Sequence, residues 1–338
     1  MKTTVAGAAA EQKPRPLDSK SESQASPAVA PGLAPEINHI LVPLDFSPTA
    51  MQALDYATAL AQKENAQIHL LHVQMPDEAS VVPGAGHLMR ESAESATFLR
   101  EKLSAGQQEG IPQFWPENCH IRTGRAYHEI CELARESRAD LIVLGSHGHT
   151  GLKRILLGST AERVVRLAPC PVLVVRQRKR KGRPDEGLVK SKRKFTIRTI
   201  LAPVDFSQCS MAGVMYAAFL AKAFDAKLWV FHTVHPPAPV LVDRVSANLA
   251  SAEVNLADAR LEMEAFLKLD FLQDVKCETE IRTGYPVDEI CGAASRPDID
   301  LIVTSTHGRT GINRMLLGSV AEHVVRYAEC SVLVVPSR

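Results

Sequence analysis

Apolar residues follow two rhythms along this chain, and the rhythms alternate. Short unbroken runs occur at His39–Leu44 (HILVPL), Gln67–Val73 (QIHLLHV), Asp140–Leu144 (DLIVL) and Pro171–Val175 (PVLVV), with a weaker one around Asn118 to Arg122. Runs without polar alternation predict strands buried on both faces, as in a parallel sheet. Between them the spacing is helical. Ala50, Ala53, Leu54, Ala57, Leu60 and Ala61 share one stripe, which predicts a helix to about Asn65 with Ser47 as N-cap and Pro48 at the first position. A looser helix is predicted over about Leu88 to Glu109 and another over about Tyr127 to Ser137. A third follows Ser159, taken as its N-cap, with Val164, Val165 and Ala168 on the apolar side. This alternation predicts a doubly wound α/β sheet of five strands, whose ligand lies outside the strand carboxyl ends where strand order reverses. Those ends are Asp45, Val73 and Gly145.

The whole pattern then runs a second time, displaced by 160 positions. Pro43, Asp45, Phe46 and Ser47 meet Pro203, Asp205, Phe206 and Ser207, and His72 meets His232. Ile121–Gly124 (IRTG) returns as Ile281–Gly284, Glu129–Cys131 (EIC) as Glu289–Cys291, and Val172–Val175 (VLVV) as Val332–Val335. One offset from first strand to last means a tandem duplication. The boundaries it predicts are a tail over 1–35, a first domain over 36–176, a linker over 177–194 and a second domain over 195–338.

Composition agrees with two soluble globular domains: 338 residues, 45% apolar and 23% charged. A net charge of +1 gives no whole-protein field for nucleic acid or a membrane surface. The tail, with Pro14, Pro16, Pro27, Pro31 and Pro35 and no aromatic residue, cannot bury enough apolar area to offset its ordering entropy. It reads as a disordered extension, with a docking segment as the alternative. No apolar h-region follows Lys2 and no run is long enough to span a bilayer. The seven cysteines show no CxxC spacing and read as reduced, packed thiols. The expected location is cytoplasmic. The Lys- and Arg-rich stretch Arg176–Lys194 reads as a solvated linker, with a local phosphate-attracting patch as the sharper alternative.

The stretch richest in chemistry is Gly145–Ser159, GSHGHTGLKRILLGS, repeated as Ser305–Ser319, STHGRTGINRMLLGS. Gly145 and Gly148 end a strand where positive φ or close backbone approach is wanted. Gly158 and Ser159 open a helix whose first N–H groups lack intrahelical partners, which makes an anion site. Other readings of the local residues are weaker. His72, His147, His232 and His307 carry no HExxH or carboxylate cluster, so no metal is expected. Ser146 and His147 are adjacent, hence expected to point apart, and GSHG is not the GxSxG elbow. Lys153 and Arg154 either reach phosphate or lie on an exposed face.

The spaced glycines Gly145-x2-Gly148-x9-Gly158-Ser159, together with Pro-x-Asp-Phe-Ser, Leu-His-Val and a terminal VLVV, resemble the universal stress protein family in both halves. In the ATP-binding members of that family the resemblance implies that Asp45 and the backbone at Val73 meet the adenine side. It also implies that Gly145, Gly148, Gly158, Ser159 and the N–H of Thr160 surround ribose and phosphates, beside Pro43 and Leu144. The second copy offers Pro203, Asp205, Thr233, Thr304, Ser305, Gly308, Gly318, Ser319 and Val320. Ser305 in place of Gly145 is the departure that weakens the second site, because its Cβ is expected to crowd the nucleotide.

The function expected is a cytosolic tandem ATP-binding regulatory module, with ATP bound with or without Mg2+. No Walker A sequence or positioned general base marks a catalyst, so no catalytic residue is assigned. A slow ATPase or phosphotransferase and a nucleotide-free protein-binding scaffold are the alternatives. The fifth strand of each copy is expected at a sheet edge, where VLVV invites pairing. Val172–Val175 is therefore expected to pair antiparallel with Val332–Val335 inside one molecule, as a pseudo-dimer, with further homo-oligomers and protein partners unspecified.

Overall fold

A computed structural model of the chain describes residues 35–74, 97, 101, 114–147, 157–177, 196–236, 245–308 and 317–336. In the first half His39–Pro43 (β1), Pro48–Glu64 (α1), Gln67–Gln74 (β2), Phe114–Thr123 (β3), Ala126–Glu136 (α2), Leu141–Gly145 (β4), Ser159–Leu167 (α3) and Val172–Val175 (β5) follow in order. The second half gives Thr199–Pro203 (β6), Gln208–Phe224 (α4), Lys227–Val234 (β7), Val245–Phe266 (α5), Cys277–Thr283 (β8), Pro286–Ala294 (α6), Leu301–Ser305 (β9), Ser319–Tyr327 (α7) and Ser331–Val335 (β10). The helix expected over Leu88 to Glu109 falls outside the described residues except at 97 and 101, both helical.

The sheet is one ten-stranded surface in the order β3-β2-β1-β4-β5-β10-β9-β6-β7-β8. Pairing is parallel within each half, and strand order reverses between β1 and β4 and between β6 and β9. Each half is thus a doubly wound five-stranded α/β unit. The halves meet where β5 pairs antiparallel with β10, Leu173 opposite Leu333 and Val174 opposite Val332. Alternate residues of the strands enter separate cores. Ile40, Val42, Ile68 and Leu70 pack under α1, whereas Leu41, Ile142 and Val174 pack with Val164 and Val165 of α3. Burial on both faces is why these strands read as continuous apolar runs.

Helix ends follow local chemistry. Ser47 is extended at φ −66°, ψ 157°, and its side chain accepts from Ala50 N with Pro48 behind it, as expected. Asn65 ends α1 in the left-handed region at φ 56°, and Asp225 ends α4 likewise at φ 52°. Ser159 departs from expectation. It is the first helical residue of α3, and the N-cap is Gly158, which makes no side-chain bond.

Candidate functional site

The carboxyl ends of β2, β1 and β4 are neighbours at the point of strand reversal, so Val73, Asp45 and Gly145 come to one rim. The start of α3 joins them, because Gly158 N donates to Ser146 O at 2.9 Å and returns the chain to the end of β4. Pro43, Leu144, Ser159 and Thr160 flank the same rim on β1, β4 and α3. The second half repeats this, with Gly318 N donating to Thr306 O at 2.8 Å. There Pro203, Asp205, Thr233, Thr304, Gly318, Ser319 and Val320 take the matching places on β6, the turn after it, β7, β9 and α7. Gly148, Lys153 and Arg154 lie outside the described residues.

Asp45 is held in a tight turn. Its Oδ1 accepts from Ser47 N at 3.0 Å, and Asp205 Oδ1 accepts from Ser207 N at 3.1 Å and from Ser207 Oγ at 2.6 Å. The Asp45 carboxylate can accept further from a ligand amino or hydroxyl group. Asp205 also lies against the glycine loop: a Cβ on Gly308 would stand 2.4 Å from Asp205 Oδ2, so a side chain there displaces the carboxylate.

Between each aspartate and serine sits a phenylalanine in the left-handed region, Phe46 at φ 62° and Phe206 at φ 59°. A bulky residue there is strained by about 1–3 kcal/mol and persists only where its surroundings hold it. The holding group is the histidine of the second strand. His72 Nδ1 donates to Leu44 O at 2.8 Å and its ring stacks on Phe46 with centroids 4.8 Å apart. His232 Nδ1 donates to Val204 O at 2.7 Å, and its ring lies tilted against Phe206 with centroids 4.6 Å apart. From the sequence alone these histidines carry no assigned role, although Asp-Phe-Ser and the His returning together in both halves was a usable signal.

The glycine at 145 has a different reason from the one expected. Among the described glycines only Gly124 has positive φ. A Cβ on Gly145 would stand 2.8 Å from Thr49 Oγ1 and 2.9 Å from Ala50 N, so the glycine makes room for the first turn of α1. Thr49 Oγ1 and Ser47 Oγ then both donate to His147 O, tying the β1 turn to the β4 loop. In the second half the bond to the matching carbonyl stays within one segment. Ser305 replaces Gly145, Cys209 replaces Thr49, and Ser305 Oγ donates to His307 O at 2.7 Å. Room for Ser305 comes from Gly213, which stands where α1 has Ala53 and lies so close that a Cβ on it would be 3.3 Å from Ser305 N. Ser305 is therefore buried, with Gly213 of α4 against its backbone.

A second correction concerns Ser146 and His147. Ser146 Oγ lies 3.0 Å from His147 Nδ1, and Thr306 Oγ1 lies 3.0 Å from His307 Nδ1. The backbone has left the extended form there, so adjacent side chains no longer diverge. Ser146 is only 2% exposed, which withholds it from a substrate as a nucleophile. Among the described residues no group of three or more His, Cys, Asp or Glu could hold a metal ion, and no helix is long and apolar enough to cross a membrane.

Comparison with known proteins adds the following. The profile of the Universal stress protein family matches twice, at residues 36–176 and 196–336. A universal stress protein of Methanocaldococcus jannaschii is 34% identical over 149 residues, which are 42% of this chain and 83% of that protein. Universal stress protein YxiE of Bacillus subtilis is 32% identical over 150 residues, 41% of this chain and 99% of that protein. Among solved structures, a putative universal stress protein from Pseudomonas aeruginosa superposes with a TM-score of 0.60 at 22% identity, covering 88% of this chain and 93% of that one. A universal stress protein from Archaeoglobus fulgidus gives a TM-score of 0.56 at 21% identity, covering 88% and 96%.

Proposed function

The chain belongs to the universal stress protein family, and from that premise we propose that it is an ATP-binding regulatory module of the cytoplasm with one nucleotide site in each half. The observation that carries this reading is the convergence of Asp45, Val73 and the Gly158–Ser159 helix start on one rim, repeated by Asp205, Thr233 and Gly318–Ser319. The carboxylate accepts from the base or ribose, and the first-turn amides of α3 and α7 receive phosphate oxygens at the positive end of a helix. Mg2+, where present, is carried in with the phosphates. The module works by binding, its nucleotide state being what it signals.

Both halves are proposed to bind. Ser305 Oγ donates to His307 O within its own segment, where Thr49 Oγ1 donates to His147 O from α1, so the sites differ in detail and agree in the placing of aspartate and helix start. The test is mass spectrometry of nucleotide released from purified, denatured protein, with calorimetric titration of ATP into the stripped protein. Two equivalents of ATP are expected. Asp45→Ala and Asp205→Ala should each weaken one site by about 1–3 kcal/mol, or roughly fivefold to 150-fold. A stripped, folded protein that takes up no ATP, or binds it unchanged in the double variant, sinks the reading.

A further inference from the structure

We propose that His39 and His69 clamp a divalent transition-metal ion of borderline softness, Zn2+ or Ni2+, at the amino-terminal edge of the first half's sheet. This is the end of the strands opposite the nucleotide rim, and the proposal is independent of ATP. His39 opens β1 opposite Gln67, His69 lies two residues further along β2, and His120 on β3 lies opposite Leu71. The three imidazoles thus form a diagonal row on one face. His39 Nδ1 stands 3.3 Å from His69 Nε2, with ring planes 49° apart. Two nitrogens bound tetrahedrally to one Zn2+ at about 2.0–2.1 Å are themselves separated by about 3.3 Å.

The row is not a by-product of the repeat. The matching positions in the second half are Thr199, Trp229 and Glu280, so the fold has no need of imidazole there. As a packing solution the row is poor. His69 is 8% exposed, and its Nδ1, like His120 Nε2, is buried with no partner among the described residues. A buried nitrogen in that state is destabilising, which an apolar side chain would avoid.

The surroundings favour a two-ring site. His120 stacks on His69 with ring centroids 5.8 Å apart and lies beside Arg122, so it lines the row without joining the His39–His69 nitrogen pair. Arg122 is itself paired with Glu129 and Glu136, so little net positive charge reaches His39. Asp140 Oδ2 accepts from Asn38 N at 2.8 Å and His39 N at 2.9 Å, which fixes the start of β1 and so the place of His39. Water takes the remaining coordination positions.

The test is calorimetric titration of untagged, nucleotide-free protein with ZnCl2, NiCl2 and MgCl2. Zn2+ and Ni2+ should saturate one site and Mg2+, which prefers oxygen ligands, should not. His39→Gln and His69→Gln should each weaken that site at least about tenfold, while His128→Gln, at an exposed histidine, leaves it unchanged. Circular dichroism checks that the variants fold. If His69→Gln does not, X-ray absorption of Ni-loaded wild type decides instead, with scattering from two imidazoles expected. Absence of saturable Zn2+ or Ni2+ binding, equal affinity after either folded substitution, or a nickel shell without imidazole overturns the proposal.

Discussion

At the scale of single residues, the two halves solve one steric problem with the extra atoms moved from one element to another. In the first, Gly145 yields to Thr49, and in the second, Gly213 yields to Ser305, so a hydroxyl reaches the loop carbonyl in both. Gly145→Ser alone should therefore cost about 1–3 kcal/mol, since its Cβ overlaps the first turn of α1. Adding Thr49→Cys and Ala53→Gly, which copies the second half, should recover most of that loss. Denaturant unfolding of the single and triple variants checks it, and losses that simply add would show that the positions are not coupled. His72→Phe should cost a further amount of about 1–3 kcal/mol, because Leu44 O loses its imidazole donor while the ring stack on Phe46 can persist. A variant as stable as wild type would mean that water replaces the donor freely. The glycine spacing was legible in the sequence. Its cause at 145 was not, because the residues that crowd it come from α1, about a hundred positions earlier, and only the folded chain sets them side by side.

At the scale of elements, legibility followed burial. The runs at 39–44, 67–73, 140–144 and 171–175 emerged as strands to within a residue at most ends, since strands covered on both faces leave no room for polar positions. The strand at 118–122 was found short. It begins at Phe114, and its partly polar sequence reflects an outer place in the sheet with β2 on one side only. The start of α3 was misread by one position because Gly158 caps through backbone geometry and shows no side-chain signal. The two kinds of cap predict different mutants. Ser47→Ala and Ser207→Ala should each lower stability by about 1 kcal/mol, since both side chains accept a first-turn N–H. Ser159→Ala, tested without nucleotide, should lie within about 0.5 kcal/mol of wild type, as ordinary surface changes do. Thermal unfolding decides, and a Ser159→Ala loss as large as that of Ser47→Ala would restore Ser159 as the cap.

At the scale of the whole molecule, the edge strands that the sequence marked as exposed liabilities close on one another. Leu173 faces Leu333 at the centre of the seam, and both are nearly buried, at 5% and 2% exposure. Lysine at Val174 and Val334 would be a blunt probe of this contact, because both side chains also fill the core beneath α3 and α7 and their loss would unfold each half. Side chains reinforce the seam unevenly. Arg166 and Arg326 each bridge Glu162 and Glu322 at 3.1 to 3.4 Å, a closed ring of four charges across the halves. These residues are 27–37% exposed, so each pair contributes about 0.2–1 kcal/mol and less in salt. Arg176 is the stronger tie. It is 8% exposed, and its Nη2 donates to Val325 O and Arg326 O at the C-terminus of α7, where a cation is favoured. Ser331 Oγ adds a bond to Tyr56 OH from the other half at 3.2 Å. If backbone pairing, apolar burial and Arg176 dominate, the covalent connection is dispensable once the chain has folded. Residues 178–194, outside the described set, are dense in Lys and Arg and offer trypsin many bonds. Brief trypsin treatment should cut there, and the two fragments should still elute together from a sizing column at wild-type volume, in low salt and in 1 M salt (a Debye length of about 3 Å). Fragments that part in low salt would mean that the seam does not hold without the linker. Fragments that part only in high salt would assign the seam to the ring of Arg and Glu, against the burial of Leu173, Leu333 and Arg176.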